Sequence, residues 1–458
     1  MDAVEFIRRV YDLRARRRLL FISFAWAVAG CQAGPGPPNL VLVSIDTVRA
    51  DHLEAYGYER STAPNLTALA RDGVLFEDAI SQASWTLPSM ATLFTSLYPS
   101  QHGAVRGNHR LSGEVWTVAE ALRERGYRTL GVASHLFVGK RRGFAQGFDV
   151  FDQSQVRGHD AVTSSALTEI AVKMLGEHRD EGTGQPFFLW VHYFDPHFSY
   201  MRHPEFGFAD GYDGELGERI PYTALKRRND AGRVSRADAL YASAAYDEEI
   251  AHTDAQLGIL LAELEKLRGE TVVVVTADHG EAFLEHGRFF HQDLYDEVVR
   301  VPLVLGGAIP RELRGRRISG AVELASVPRT LMSLAGVSDS PFQGRDLMAV
   351  ALEGASGGVA FSEAMRPFFL DFGRKASISR DGWKLIHSLD QGTYELYDRR
   401  TDPAEQVDRI ADSSEAVHEI RTELMAKLEE HRHEAAVPET IEVGEEELER
   451  LRALGYER

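Results

Sequence analysis

The stretch TVVVVTADHG, residues 271–280, is the most strand-like in the chain: four valines between threonines, running straight into Asp278-His279-Gly280. An uninterrupted β-branched run presents no polar side to water, so it predicts a strand covered on both faces, as inside a parallel sheet. Two other runs have this character. NLVLVSI (39–45) ends at Asp46, and FFLWV (187–191) ends at His192. Residues 74–80, 129–133 and 301–305 read as further strands. Helical patterns lie between them: 64–70 stopped by Gly73, 115–125 followed by Gly126, 161–176, 236–267, and 324–335 ending at Gly336. In the fourth, Leu257, Leu260, Leu261 and Leu264 mark the buried side. Strands alternating with helices predict an α/β fold, with a large, mainly parallel (mixed) sheet sandwiched by helices. Ligands bind such sheets beyond the carboxyl ends of the strands. Asp46, His192, Asp278 and His279 therefore fall at one edge.

A fourth element points to that edge. SQASWTLPSMATLFTSLYPSQHG (81–103) turns through Leu87-Pro88, then places Met90, Leu93, Phe94 and Leu97 at helical spacing. Proline suits a first helical turn, which puts Thr86 just before a helix N-terminus, where free amides favour an anion. Thr86 alone reads equally as an N-cap. Beside two aspartates and a histidine, its hydroxyl becomes a candidate nucleophile. Carboxylates and imidazole together suit a divalent cation, which would lower the hydroxyl's pKa and neutralise an anionic ester.

The run Thr86-Leu87-Pro88-Ser89-Met90, with Tyr98-Pro99-Ser100-Gln101-His102-Gly103 behind it, resembles the signature of the sulfatase branch of the alkaline phosphatase superfamily. Thr86 stands where that signature has the Cys or Ser converted to formylglycine, and Met90 replaces its arginine. The resemblance implies a metal-dependent ester hydrolase without formylglycine. The implied metal ligands are Asp46, Thr86, Asp278 and His279, around one divalent ion (Ca, Mn or Zn). Thr47 stands where sulfatases have a second aspartate, which weakens the case for calcium. His197 (in Pro196-His197) and His291 fall where sulfatases bind the anion and protonate the leaving group. His135 is a substitute for a missing Gly-Lys-Trp-His motif. His192 is expected to be a packed or supporting residue, and a second metal on Asp195, His197 and His291 stays open. Gly382 to Ile386, Glu395 to Asp398 and Asp402-Pro403 resemble the small C-terminal α+β subdomain of sulfatases. There, short strands are expected at 377–380, 383–386 and 394–397, and a helix over 413–430.

The first thirty residues differ in kind. Arg14, Arg16, Arg17 and Arg18 precede an apolar run of about twelve residues from Leu19 to Gly30, then Cys31. That is short for a membrane span of roughly twenty residues, and it has the layout of a secretory signal. Val28-Ala29-Gly30-Cys31 resembles the bacterial lipobox, which implies lipid attachment at Cys31 and an exported, membrane-anchored protein. An uncleaved signal anchor or a short buried helix are the alternatives. Cys31 is the only cysteine, so no internal disulfide forms. The expected organisation is a signal peptide over 1–30, a tether over 31–38 and a catalytic domain over 39–360. A subdomain over 361–432 and an acidic tail over 433–458 complete it. Residues 199–235 are the least periodic and read as an insertion or lid near the site. A net charge of −18 argues against nucleic-acid binding. The expected partner is an anionic ester, small molecule or glycan/lipid. A transferase acting on envelope polymers and a non-catalytic envelope protein are the other readings.

Overall fold

The computed structural model describes residues 36–156, 162–354, 357–365, 373–412, 415–445 and 447–449. The expected signal peptide and Cys31 lie outside the described residues.

An eight-stranded mixed sheet forms the centre. In chain order its elements are β1 (Asn39–Ile45), α1 (Pro64–Asp72), β2 (Val74–Phe76), α2 (Thr86–Thr95), α3 (Val118–Glu124), β3 (Arg128–Ala133) and β4 (Val150–Asp152). There follow α4 (Ser164–Glu181), β5 (Phe187–Tyr193), α5 (Tyr222–Asp230), α6 (Arg236–Leu264), β6 (Thr271–Ala277), β7 (Leu303–Gly307) and β8 (Arg316–Ile318). The spatial order is β8-β2-β7-β6-β1-β5-β3-β4. From β6 through β4 all neighbours are parallel, whereas β7 runs antiparallel to β6 and to β2. The all-apolar strands are indeed the interior ones: every residue of β1 and β5 is buried, as are six of the seven in β6.

Two expected strands are each split. Residues 74–80 and 301–305 pair with one another antiparallel, so both break at the same level. The inner pieces, β2 and β7, stay in the large sheet. The outer pieces, Ala79–Ile80 and Arg300–Val301, join Val322–Glu323 in a small three-stranded sheet. α3 starts later than its apolar pattern suggests, because Thr117 and Glu120 form a reciprocal capping box.

The C-terminal part is a four-stranded antiparallel sheet, β9 (Val359–Ala364), β10 (Lys375–Arg380), β11 (Trp383–Ser388) and β12 (Thr393–Asp398), backed by α7 (Glu415–His433). Ile378, Leu385, Leu396, Ile420 and Leu424 make its core with Tyr98 and Phe361. Past α7 the acidic segment folds back on the main body. Glu439–Thr440 pairs with His109–Arg110, and Glu447 binds the buried Arg142 guanidinium at 2.7 Å. Among the described residues no helix is long and apolar enough to cross a membrane.

Candidate active site

Strand register assembles the site. Ile45 lies beside Ala277, so Asp46 and Asp278 leave neighbouring parallel strands together. Ser44 lies beside His192 on the other flank. Asp46, Thr86, Asp278 and His279 are all fully enclosed. His279 Nε2 lies 3.6 Å from Asp46 Oδ1, 3.4 Å from Asp278 Oδ2 and 3.4 Å from Thr86 Oγ1. On the opposite side of Asp46, His135 Nδ1 and His192 Nε2 stand 3.5 and 3.4 Å from Oδ2.

These carboxylates are short of protons. Both Asp46 oxygens and Asp278 Oδ2 are buried and meet hydrogen-bond geometry with no described group. Burial, and then the charge of Asp278, hold the Asp46 carboxyl well above its usual range, while His279 and the adjoining Thr86 hydroxyl work the other way. A divalent cation would supply the missing positive charge, and two carboxylates, an imidazole and a hydroxyl fit one. The backbone prepares the same place. Thr47 is held at φ 58°, a rare conformation for a β-branched residue, and its N–H donates to Asp278 Oδ1 at 3.2 Å.

Hydrogen bonds fix the histidine tautomers. His279 Nδ1 donates to the Gly280 carbonyl at 3.0 Å, which turns the Nε2 lone pair towards Thr86 and the aspartates. His197 Nδ1 donates to the Phe198 carbonyl at 2.9 Å, and His291 Nδ1 faces buried Glu281 at 3.2 Å. The rings of His135, His197, His291 and His279 follow one another at 5.6, 5.1 and 4.4 Å. The structure thus brings together all seven residues singled out for catalysis or metal binding.

His192 does more than pack. The Trp190 indole can only donate, and it donates to Ser44 Oγ at 2.9 Å. The Ser44 proton is then directed to His192 Nδ1, also at 2.9 Å. Nε2 therefore carries the ring proton and faces Asp46 Oδ2. Burial lowers the His192 pKa to about 4, which keeps the ring neutral. Sequence gave no sign of Ser44, because which residues adjoin across parallel strands is set by register.

Asp195, considered above for a second metal, is instead tied to the start of α4. Its two oxygens accept from Thr163 N (2.8 and 3.0 Å) and Oγ1 (2.8 Å), from Ser164 N (2.6 Å) and from Ser164 Oγ. It caps α4, so both its oxygens are already engaged by protein donors. Thr86 also differs from expectation in one detail: it is the first residue of α2, with Trp85 as N-cap and Pro88 two residues inside.

The rest of the 81–103 stretch is scaffolding. Ser89 Oγ donates to the Asp278 carbonyl at 2.6 Å, tying α2 to the ligand loop. His102 accepts from Ala104 N at Nδ1 (3.0 Å), so its Nε2–H bonds the Pro88 carbonyl (3.1 Å). Tyr98 reaches Glu323, and Ser100 reaches Glu363 on β9. Over the histidines sits an aromatic cover. Tyr222 of α5, in the segment read as irregular, packs 4.7 Å from Phe198 and 4.5 Å from Phe290, and Phe198 stacks on His291 at 5.4 Å.

Comparison with known proteins agrees with this arrangement. The chain is 23% identical to an N-acetylglucosamine-6-O-sulfatase of Bacteroides thetaiotaomicron, over 86% of each protein. It is 25% identical to the uncharacterized sulfatase YidJ of Escherichia coli, over 85% of this chain and 88% of that one. Among solved structures, one in complex with its substrate D-glucosamine-2-N,6-O-disulfate superposes with a TM-score of 0.70 at 20% identity, over 86% of this chain and 98% of the other. The phosphonate monoester hydrolase of Agrobacterium radiobacter does so equally, TM-score 0.70 at 22% identity, over 89% and 98%. Residues 284–434 match the C-terminal region of N-sulphoglucosamine sulphohydrolase. Residues 38–337, which carry Asp46, Thr86, Asp278 and His279 at one sheet edge, match the sulfatase family itself, and the chain is a member of that family of ester hydrolases.

Proposed function

We propose that this protein is an exported, metal-dependent hydrolase of anionic esters that uses Thr86 as nucleophile and favours phosphate esters over sulfate esters. The observation that carries this reading is Thr86 Oγ1 at the start of α2, 3.4 Å from His279 Nε2 and enclosed with the bare carboxylates of Asp46 and Asp278. Asp46, Thr86, Asp278 and His279 would hold a divalent cation, which would lower the hydroxyl's pKa and offset the ester's charge.

The remaining chemistry belongs to the side chains. With its proton released to solvent, Thr86 Oγ1 bonds to phosphorus or sulfur as the P–O or S–O bond to the ester's alcohol breaks, and the alcohol leaves with a proton from the imidazolium form of His197 or His291. Water then attacks the same central atom, returns a proton to that histidine and frees Thr86. A formylglycine enzyme avoids this second displacement by eliminating sulfate through C–O cleavage. Threonine has no such route: oxidation of its branched β-carbon gives a ketone. Double displacement at phosphorus is well served by a metal and hydrogen-bond donors, which favours phosphate mono- or diesters. The amides of Thr86 and Leu87, in the first turn of α2, would be available to the transferred group.

Purified protein assayed on aryl phosphate, aryl phosphodiester and aryl sulfate tests this. Thr86→Ser is expected to keep some turnover and Thr86→Ala almost none, with phosphate esters turned over fastest. Full activity in Thr86→Ala, or aryl sulfate as much the best substrate, sinks the reading. Export and anchoring rest on the arginine-led apolar run and Val28-Ala29-Gly30-Cys31. Cys31→Ala should then escape processing at residue 31, and continued processing there would exclude lipidation.

A further inference from the structure

Away from Asp46, a second group of ligand-type side chains gathers where the 199–235 insertion meets α6. We propose that His203, Glu205 and His252 form a binding site for a divalent cation of the zinc class, which fastens the start of the insertion to α6. One ligand atom from each of the three lies within 4.8 Å of the other two. Two imidazoles and a carboxylate are a donor set suited to zinc and its late first-row neighbours rather than to calcium or magnesium.

Independent observations point to the same occupant. His203 is only 8% exposed and Glu249 only 2%, yet His203 Nε2, Glu249 Oε2 and His252 Nε2 are buried atoms that hydrogen-bond to no described group. The His203 and His252 rings lie face to face, 4.4 Å between centroids and 17° apart in plane. Both ring nitrogens of His203 face carboxylates: Nδ1 lies 3.7 Å from Glu205 Oε1 and Nε2 lies 3.7 Å from Glu249 Oε2.

The surrounding backbone is already fixed in place. Glu249 Oε1 accepts from Met201 N at 2.7 Å, and Glu248 Oε2 accepts from His203 N at 2.8 Å and from Arg202 Nε at 2.7 Å. His203 is thus held against α6 before any cation binds, and His252 lies one turn beyond Glu248 on the same helix. Glu205, which is exposed, is the third ligand. The cluster shares no residue with the Asp46 centre, so the two are separable by mutation.

The experiment uses full-length protein stripped with EDTA and titrated with zinc, with bound metal counted by atomic absorption. Asp278→Ala, crippled at the Asp46 centre, should retain one zinc equivalent. Adding His252→Ala to it should remove that equivalent or weaken it at least tenfold. Cobalt bound to Asp278→Ala should give visible d–d bands that His252→Ala abolishes. Zinc should slow proteolytic cleavage within residues 204–218 in wild type and not in His252→Ala. Where His252→Ala folds poorly by circular dichroism, Glu205→Gln at the exposed ligand replaces it. Asp278→Ala with no stoichiometric zinc, or zinc binding unchanged by His252→Ala and Glu205→Gln, overturns the proposal.

Discussion

At the scale of single residues, the reactive centre works through side chains that never touch the substrate. Trp190 and Ser44 form a one-way hydrogen-bond chain to His192, whose Nε2 stands 3.4 Å from Asp46 Oδ2. It points an N–H at one oxygen of a buried carboxylate and leaves Oδ1 turned towards His279. Replacing His192 with Phe keeps the volume and deletes the donor. Outer partners of metal ligands typically contribute 10–100-fold to affinity or activity. His192→Phe should therefore bind its active-site metal about tenfold or more weakly, with kcat falling while the melting temperature changes little. Ser44→Ala should show the same sign, more weakly, because His192 can then adopt either tautomer. Metal titration and steady-state kinetics on both variants check this, and unchanged metal affinity in His192→Phe would reduce His192 to a packing residue.

At the scale of elements, function depends on how helix ends and strand ends are tied. Asp195 lies just past the end of β5, much as Asp46 lies just past β1, yet it serves the start of α4. Cap removal typically costs about 0.5–2 kcal/mol, and this cap is buried and accepts five hydrogen bonds. Asp195→Ala should lose about 2 kcal/mol in urea unfolding while keeping its full complement of active-site metal, the reverse of what a ligand would show. The long helix α6 carries the same lesson. Asp247, Glu248, Glu249 and Asp254 are buried along it, each engaged by groups outside the helix. Its apolar stripe is therefore clear only at the Leu257–Leu264 end.

At the scale of the whole molecule, the C-terminal sheet is bound to the catalytic body by charge as well as by Tyr98 and Phe361. Asp296 joins Lys384 (2.8 Å) and Arg399 (2.6 Å), and Arg399 also holds Asp78. Nearby, His286 stacks on Tyr295 at 3.6 Å, donates to Glu297 at 2.7 Å and donates to the Glu405 carbonyl at 3.0 Å. Burial works against its charge, but these bonds outweigh it and push the pKa up to about 9. A raised histidine pKa stabilises the fold fully below the unfolded value near 6.5, and that contribution is lost as pH rises through about 9. Wild type should lose urea resistance between pH 6.5 and 9.5, and His286→Gln should lose less over the same range. Parallel profiles for the two proteins would remove His286 from this role.

The sequence by itself determined the sheet interior, the helix order and which chemistry-bearing residues share one sheet edge. Continuous β-branched runs can be stable only where both faces are covered, and Asp46, Asp278 and His279 stand at the ends of such runs. It also showed Thr86 in place of an oxidisable residue, because that is a matter of covalent structure alone. The tertiary structure decided what depends on register and on who faces whom. It turned β7 antiparallel, split 74–80 and 301–305 together, and folded the acidic C-terminal segment back onto His109–Arg110 and Arg142. It gave Asp195 to a helix and His192 to Asp46, although both lie at the carboxyl end of the same apolar strand. Spacing along a chain fixes which edge of a sheet a side chain reaches, whereas its partner there is fixed only when neighbouring strands and helices close around it.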